Sequence, residues 1–302
     1  MRRIAAGILA ACVVAAFITA CGSSPATPTP NPGGGGNPGG GGQPPPVVNN
    51  PPQIKSITLS DTRVEVGTPV TLTAVVEDAE TPVASLSLTW SAETGTFSGN
   101  GPVVTWSPGS DAKTPADYVV TLTVSETYTS GPATLENKVT STTTAHVNNS
   151  SKELAEMSVR FLSDFGNSRI SPDKCVADFT DTCASDKKDE LNDIDDNRHD
   201  YEIIASTVRH TGLSIAPSRL SATVHTYCFF TSKIITTEPR DESCQGGKCP
   251  LGSTGNAEGD CWTTNVYEKG RWWLCASHYT PKNGILSTFE RAFFGIRRYE
   301  LP

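Results

Sequence analysis

The chain is short of positive charge and, over a long stretch, has no cysteine. It carries 24 Lys and Arg against 32 Asp and Glu, a formal charge of −8, and residues 22–174 contain no cysteine. Nucleic-acid binding depends on neutralising phosphates with Lys and Arg, so this acidic balance argues against a nucleic-acid partner. Residues 22–52 lack charge altogether, and after residue 20 no apolar run reaches the roughly 20 residues of a membrane-spanning helix.

The first 20 residues have a different composition. Arg2 and Arg3 precede an uncharged, mostly apolar run, Ile4–Ala20, which is typical of an export signal. A spanning helix would need a longer run, and a signal for soluble export would end in an A-x-A-like triplet, whereas residues 18–20 read Ile-Thr-Ala. The sequence Ile18-Thr19-Ala20-Cys21 resembles the lipobox of bacterial lipoproteins. That resemblance implies a signal peptide over residues 1–20 and palmitate-type acylation of Cys21.

Acyl chains on Cys21 would fix where the protein works. Each methylene buried in a bilayer contributes about 0.8 kcal/mol, and several chains together anchor a protein stably. Gly22, rather than Asp, follows the cysteine, which resembles lipoproteins sorted to the outer membrane. We therefore expect a lipid-anchored protein of the bacterial cell envelope, on the periplasmic or the surface face of the outer membrane.

A linker follows the acylated cysteine, so that residues 21–52 form one segment. Pro and Gly dominate it, with runs of four glycines at Gly33–Gly36 and Gly39–Gly42. Such a composition cannot bury a core and is typical of disorder. A flexible coil of this length spans roughly 30 Å on average, so we expect the linker to hold the folded part away from the membrane.

Residues 53–149 alternate between apolar and polar positions, which is typical of half-buried strands. Turn residues such as Gly67, Gly95 and Gly131-Pro132 separate the runs. Several short strands in about 100 residues predict an antiparallel β-sandwich. The alternating apolar positions are Val70, Leu72, Ala74 and Val76, then Leu86, Leu88 and Trp90, then Tyr118, Val120, Leu122 and Val124.

The placement of a few residues in this sandwich resembles PKD and related bacterial Ig-like modules. The residues that carry the resemblance are Pro51-Pro52-Gln53-Ile54, Gly67, Asp78, Trp90 and Tyr118. It implies a spacer or a surface that contacts proteins or glycans. Glu77, Asp78 and Glu80 cluster after one strand, and carboxylates are calcium ligands, but a solvated acidic turn is the interpretation that we adopt, with no metal or other cofactor.

Seven cysteines follow residue 174, and an oxidising compartment favours disulfides between them. Zinc is the competing interpretation, but the sequence has no C-x-x-C pair. Cys175 with Cys183, which are close in sequence, is the first pairing that we expect. Cys244 with Cys249 across a Gly-Gly turn is the second, and Cys228 with Cys261 on adjacent strands is the third. That assignment leaves Cys275 over.

Residues 150–302 predict an α+β domain, because helical patterns precede strands. We expect helices from Ser151, over Asp173–Phe179 and over Lys187–Arg198. Lys269-Gly270 predicts a two-residue hairpin that sets Cys261 opposite His278 and puts Cys261 and Cys275 on opposite faces. The expected strands are Tyr201–His210, Arg219–Ile235, Cys261–Glu268 and Arg271–Tyr279, and an amphipathic helix is expected from Ile285 to Pro302.

Helices followed by a four-stranded meander, with Gly270-Arg271-Trp272-Trp273-Leu274 in its last hairpin, resemble the NTF2-like (SnoaL-like) cone fold. The family often leaves a pocket between helices and sheet, but core packing is the interpretation that we favour for the same aromatics. Asp200, His199, His225 and His278 are the acid–base candidates, but no second group at fixed spacing supports a dyad. The pocket candidates are Tyr201, His225, Tyr227, Trp262, Trp272 and Trp273.

These features predict a non-enzymatic, lipid-anchored binding module of the envelope. The Ig-like sandwich would present the disulfide-containing domain to a protein, glycan or peptidoglycan partner. Two alternatives stay open at this point. One is a small-molecule binder or enzyme of the isomerase or dehydratase type that uses an NTF2-like pocket, and the other is a structural spacer.

Overall fold

The computed structural model describes residues 49–240 and 244–282. The expected signal peptide, Cys21, most of the expected linker and the helix expected from Ile285 therefore lie outside the described residues. Within the described ranges, none of the helices combines the length and the hydrophobicity needed to cross a membrane. The described chain is rich in β-structure and forms three four-stranded sheets.

Residues 53–148 form two of these sheets, which pack face to face around shared apolar residues. One sheet has the order β1-β3-β6-β5 and the other the order β2-β8-β7-β4. All pairs are antiparallel except β2 with β8, which is parallel, so the expectation of a purely antiparallel sandwich is wrong at that pair. The strands are β1 (Gln53–Leu59), β2 (Arg63–Glu65), β3 (Val70–Glu77), β4 (Ser87–Ala92), β5 (Thr96–Ser98), β6 (Val103–Ser107), β7 (Ala116–Ser130) and β8 (Ala133–Asn148).

The sandwich core contains the residues that the alternation predicts, together with one that it did not identify. Leu72, Val120 and Leu122 are fully buried, and so is Trp106 on the short strand β6. The indole Nε1 of Trp106 donates to the Thr94 carbonyl at 3.0 Å, so its one polar group stays satisfied. The hydroxyl of Tyr118 donates to the Lys113 carbonyl at 3.1 Å and ties down the approach to β7.

The acidic residues after β3 are held by protein donors. The Asp78 carboxylate accepts the backbone N–H of Glu80 at 2.9 Å and that of Thr81 at 2.6 Å. Glu80 accepts the side-chain amide of Asn50 at 2.7 Å, and Glu77 pairs with Lys55 at 3.4 Å. An Asx-type turn accounts for these contacts, and the three carboxylates do not converge on one point in the described chain.

The rest of the described chain packs helices against one face of the third sheet. The sheet is an antiparallel meander in the order β12-β11-β10-β9. Its first helix begins after Asn149, whose side chain accepts the Lys152 N–H at 3.2 Å, so the cap lies two residues before the expected Ser151. The elements are α1 (Ser150–Phe165), α2 (Pro172–Cys175), α3 (Ala184–Asp200), β9 (Tyr201–Ile215), β10 (Ser221–Ile234), β11 (Thr254–Glu268) and β12 (Arg271–Pro281).

Side chains fill the space between these helices and the sheet. Leu154 and Phe161 of α1 pack with Val224 and Phe230 of β10, and all four are almost completely buried. The cavity that remains beside Leu162 and Phe230 has a volume of about 10 Å³, enough for about one water molecule. On this side the sheet is therefore a packed core, and its opposite face is the one open to solvent.

A bulge changes the register of the last hairpin. Glu268 lies opposite Arg271 as expected, but the register shifts between Thr264 and Asn265. Cys261 consequently lies opposite Tyr279, so the expected pairing with His278 is wrong by one residue. A bulge adds one residue to one strand, and nothing in the alternation of this hairpin indicated it.

Three disulfides form in the described chain, and one expected pairing is wrong. Cys228–Cys261 and Cys244–Cys249 are confirmed. Cys183 bonds Cys275, with the Cα atoms 5.3 Å apart, instead of Cys175. The reason is that α2 buries Cys175, where its thiol accepts from the Arg198 guanidinium at 3.1 Å. Burial raises the pKa of the Cys175 thiol, against the opposing effect of Arg198.

The sandwich and the helix-packed sheet meet at a junction formed by Arg63, Glu65, Ser150, Tyr267 and Trp272. The Arg63 guanidinium lies 3.3 Å from the centroid of the Tyr267 ring. The Glu65 carboxylate accepts the Ser150 backbone N–H at 3.0 Å and its hydroxyl at 2.7 Å. The Trp272 indole donates to the same hydroxyl at 2.8 Å.

Burial shifts the pKa values of two groups at this junction. It lowers the pKa of Arg63 and raises the pKa of the Tyr267 hydroxyl, which donates to Asn148 at 2.8 Å. His146 adds a further contact, because its Nε2 lies 2.5 Å from the Gly270 carbonyl in the last hairpin. Charged, aromatic and backbone groups thus join the two parts, and the described residues belong to one compact unit.

Candidate functional site

The open face of the third sheet, which we call the outer face, carries three of the six pocket candidates in one cluster. His225, Tyr227 and Trp262 project from β10 and β11 on this face. Tyr201 and Trp272 are buried in the core instead. Trp273 is half-buried farther along β12, where the Arg271 guanidinium lies 4.1 Å from its ring. The six residues lie on two faces of the sheet and therefore do not line one pocket, and the preference for core packing holds for Tyr201 and Trp272.

Three rings form a row across the strands of the outer face. Trp262 lies opposite both His225 and His278 in the sheet register. The ring of Trp262 stacks on His278 with centroids 4.0 Å apart and on His225 with centroids 6.3 Å apart. At the end of the row, Gly212 lies opposite His225 and has no side chain to cover the imidazole. Space is therefore left beside the His225 ring.

A polar network surrounds this row. The Asp260 carboxylate lies 2.6 Å from His225 Nδ1, which fixes the orientation of the imidazole. One row farther along, the Tyr227 hydroxyl donates to Glu258 at 2.9 Å, and Lys282 donates to the same carboxylate at 2.6 Å. The Arg209 guanidinium lies 4.6 Å from the Tyr227 ring, a favourable cation–π geometry.

These contacts shift the pKa values of Glu258, Tyr227 and Lys282. Hydrogen bonds from Lys282 and from Tyr227 hold the pKa of Glu258 below its ordinary range. The hydrogen bond to Glu258 raises the pKa of Tyr227 and that of Lys282. A lowered carboxylate pKa means that its contribution to stability is complete above the ordinary pKa of Glu and is lost only as the pH falls through the lowered value. The Glu258–Lys282 pair therefore stays ionised in neutral and mildly acidic conditions.

An open groove of about 390 Å³ runs along this network, lined by Thr211, His225, Tyr227, Gly259, Asp260 and Lys282. Its charges balance, since Arg209 and Lys282 oppose Glu258 and Asp260. Beyond its contact with Asp260, His225 has no other hydrogen-bond partner among the described residues. The groove combines ring surface with hydrogen-bonding groups of both kinds and little net charge.

The remaining acid–base candidates do not join the groove. His199 Nδ1 lies 2.7 Å from the buried Asp200 at the end of α3, and Asp200 also accepts the Arg240 backbone N–H at 3.0 Å. These contacts hold the segment after the helix. Farther back in α3, Asp195 pairs with Arg240 at 2.7 Å.

The alternation of β10 could identify the ring residues but not their partners. His225 and Tyr227 fall on the polar side of an alternating strand, so their shared face was predictable. Asp260, Glu258 and Gly212 reach the same site only through the pairing register of β9, β10 and β11. The β10–β11 register is continuous, whereas the β9–β10 register that sets Gly212 opposite His225 is shifted at two bulges, for which the sequence carries no signal.

Comparison with known proteins assigns no family to the chain. No family model matches it, and no curated protein matches it. Among solved structures, the crystal structure of the intermembrane space region of the chloroplast protein ARC6 is similar at a TM-score of 0.27 and 9% identity. That similarity covers 42% of this chain and 97% of the other.

Proposed function

We propose that the protein is a lipid-anchored, non-enzymatic binding module of the bacterial cell envelope, and that its outer face binds a glycan strand such as that of peptidoglycan. The observation that carries this proposal is the His225–Trp262–His278 row beside an open groove. The anchor is supported by the lipobox resemblance at Cys21. The three disulfides agree with an oxidising compartment.

The finer fold assignments belong to the same proposal. An Ig-like or PKD-like identity for the sandwich is supported by its two packed sheets and by the Tyr118 hydroxyl bond to the chain just before β7. An NTF2-like cone is supported by helices packed on one face of a four-stranded meander. In this proposal the packed inner face is structural and the ligand binds outside.

The chemistry of the groove favours a sugar over other ligands. Sugars present both C–H surfaces, which pack on rings, and hydroxyl groups, which need donors and acceptors close by. His225, Tyr227 and Asp260 supply these together at one end of the groove. The near balance of charge disfavours polyanions such as nucleic acids, whose binding requires an excess of Lys and Arg.

An acid–base reaction is the second candidate, because His225 and Asp260 lie 2.6 Å apart in the groove. Their side chains are 46% and 38% exposed, so water reaches the pair freely. Acid–base catalysis is favoured in a site that excludes water. We therefore favour binding, and the absence of new reducing ends after incubation with glycan would distinguish it from hydrolysis.

Substitutions along the ring row test the binding surface. We expect Trp262→Ala and His225→Ala each to weaken binding of soluble peptidoglycan fragments by at least about tenfold, because each removes ring surface from the row. Gly212→Leu should weaken binding to a similar extent, because the new side chain would cover the imidazole. The substitution fits sterically, since an added Cβ would lie 3.7 Å from its nearest neighbour, His225 Cβ. Isothermal titration calorimetry of each variant measures the effect.

Trp273→Ala is the matched control for these variants. Trp273 lies on the same sheet but outside the groove, and its indole already donates to the Glu268 carbonyl at 3.1 Å. We expect its affinity to stay within about twofold of the unsubstituted protein. Equal losses for Trp262→Ala and Trp273→Ala, or no loss for any variant, would contradict the proposed site.

Mass spectrometry of the mature protein tests the anchor separately. We expect an amino terminus at Cys21 that carries acyl chains, and we expect Cys21→Ser to release the protein from the membrane fraction. The physical reason is that the acyl methylenes supply the membrane affinity. An unmodified terminus, or residues 1–20 still attached, would remove the envelope anchor from the account without affecting the groove.

A further inference from the structure

Strand β8 has a long edge without a strand partner. β7 pairs with β8 along its whole length, from Ala133 to Val147. On the other side, β2 pairs only with residues 146–148 of β8. Within the described chain, residues 133–145 therefore have a hydrogen-bonded strand on one side only. Among the described residues, β1 of the other sheet lies close to β8 but forms no ladder with it, so the unpaired backbone groups of this edge are a template for another strand.

The direction of the unpaired groups follows from the hairpin. Gly131-Pro132 is a two-residue turn, so Ser130 and Ala133 exchange hydrogen bonds, and every second residue from Ala133 bonds inward to β7. The intervening residues, including Glu136 and Lys138, therefore direct their N–H and C=O groups outward. Both side chains are exposed.

The sequence of this edge complements itself in one register. An antiparallel second copy centred on Asn137 sets Glu136 of each chain opposite Lys138 of the other. It also sets Leu135, which is 43% exposed, opposite Val139. Moving the centre by one residue sets Glu136 against Glu136 or Lys138 against Lys138. Opposite charges and apolar pairs across strands are favourable, whereas like charges directly opposite are unfavourable.

We propose that two copies of the protein associate through their β8 edges, in the register centred on Asn137. Strands β4, β7 and β8 of the two copies then form six adjacent strands of one continuous sheet, and β2 of each copy keeps its place at the far end of the same β8 edge. This arrangement has two-fold symmetry, which is the usual symmetry of homodimers. The groove lies on a different sheet, so both grooves stay open. A dimer with two grooves would gain avidity on a repetitive ligand, but the association itself does not depend on what the groove binds.

Cross-linking of the full chain in membranes tests this register. The two-fold axis brings Asn137 of each copy face to face, at a Cα separation of about 4.5 Å for a pair that exchanges no hydrogen bonds, close enough for a disulfide. We expect Asn137→Cys to give a reducible dimer on gels. Thr127→Cys, exposed on β7 of the same hairpin, should stay monomeric. The Glu126 carboxylate that Asn137 contacts keeps its bonds from Asn49 and Thr81.

A charge exchange in the Asn137→Cys protein makes the test specific. Lys138→Glu sets two glutamates opposite each other, and we expect it to reduce cross-linking at least about fivefold. Adding Glu136→Lys sets a lysine opposite the new glutamate again, so the double exchange should restore the cross-linking. A chain that stays monomeric with Asn137→Cys, a Thr127→Cys chain that cross-links equally, or a double exchange that fails to restore the dimer would overturn the proposal.

Discussion

Replacing Cys183 and Cys275 together by alanine is expected to lower the free energy of unfolding by about 4–5 kcal/mol, because that disulfide closes the longest loop. The two cysteines are 92 residues apart and tie the start of α3 to β12. Without the bond, the unfolded chain gains the conformational freedom of that loop, and the helix is held to the sheet by packing alone. Urea denaturation of the oxidised protein measures the difference.

The smallest disulfide loop supplies the control. Cys244 and Cys249 are only 5 residues apart, and the same loop-entropy relation gives about 2 kcal/mol for their bond. We predict that removing Cys183–Cys275 lowers the free energy of unfolding more than removing Cys244–Cys249 does, because in this relation the decrease depends only on loop length. If removing Cys244–Cys249 destabilised the protein as much as removing Cys183–Cys275, loop closure would not account for the role of the longer bond.

Arg63→Ala is expected to lower the free energy of unfolding by about 3 kcal/mol and to uncouple the sandwich from the helix-packed sheet. The guanidinium lies on the Tyr267 ring, donates to the Arg219 carbonyl and reaches the Ser150 hydroxyl at 3.3 Å. A desolvated cation–π contact contributes about 2 kcal/mol, and a hydrogen bond from a charged donor contributes about 1.5–3 kcal/mol. The two contributions are not fully additive, because the same guanidinium makes both contacts, so the expected loss is smaller than their sum. Calorimetry should then resolve two transitions in place of one.

Arg63→Lys separates geometry from charge at this junction, and Lys55→Ala, which lies away from it on β1, is the control. Arg63→Lys keeps the positive charge but loses the planar guanidinium group. We therefore expect it to retain less than half of the free energy of unfolding that Arg63→Ala removes. Lys55→Ala removes an exposed pair with Glu77, whose side chains are 46% and 64% exposed, and should change stability by less than about 1 kcal/mol. A single, unshifted transition for Arg63→Ala would show that other contacts hold the two parts together.

Local pattern was enough to predict most of the elements. The alternation around Val70 and Tyr118 identified strands of the sandwich, and the Lys269-Gly270 turn identified the last hairpin. Boundaries moved because tertiary contacts extend elements beyond their local signal. Strand β11 starts at Thr254 rather than Cys261, since seven more residues pair with β10 in a segment whose glycines and charges carry little strand pattern.

Features that depend on register or on distant contacts were not predictable in this way. The Cys183–Cys275 bond requires knowing that the turn before α3 lies against β12, which a separation of 92 residues conceals. The parallel pairing of β2 with β8 involves only three residues of β2. At the groove, Asp260 meets His225 through strand pairing across 35 residues. Sequence pattern indicates which residues share a face, but not which neighbours they meet there.

Oxidative footprinting of the protein in intact cell envelopes tests most directly whether the outer face binds envelope glycan. We expect Trp262 and Tyr227 to be protected in the envelope and to become reactive after a muramidase cuts the glycan strands, while the buried Trp106 and Trp272 stay unreactive throughout. Equal labelling of Trp262 and Tyr227 before and after digestion, at the level of the purified protein, would contradict the account.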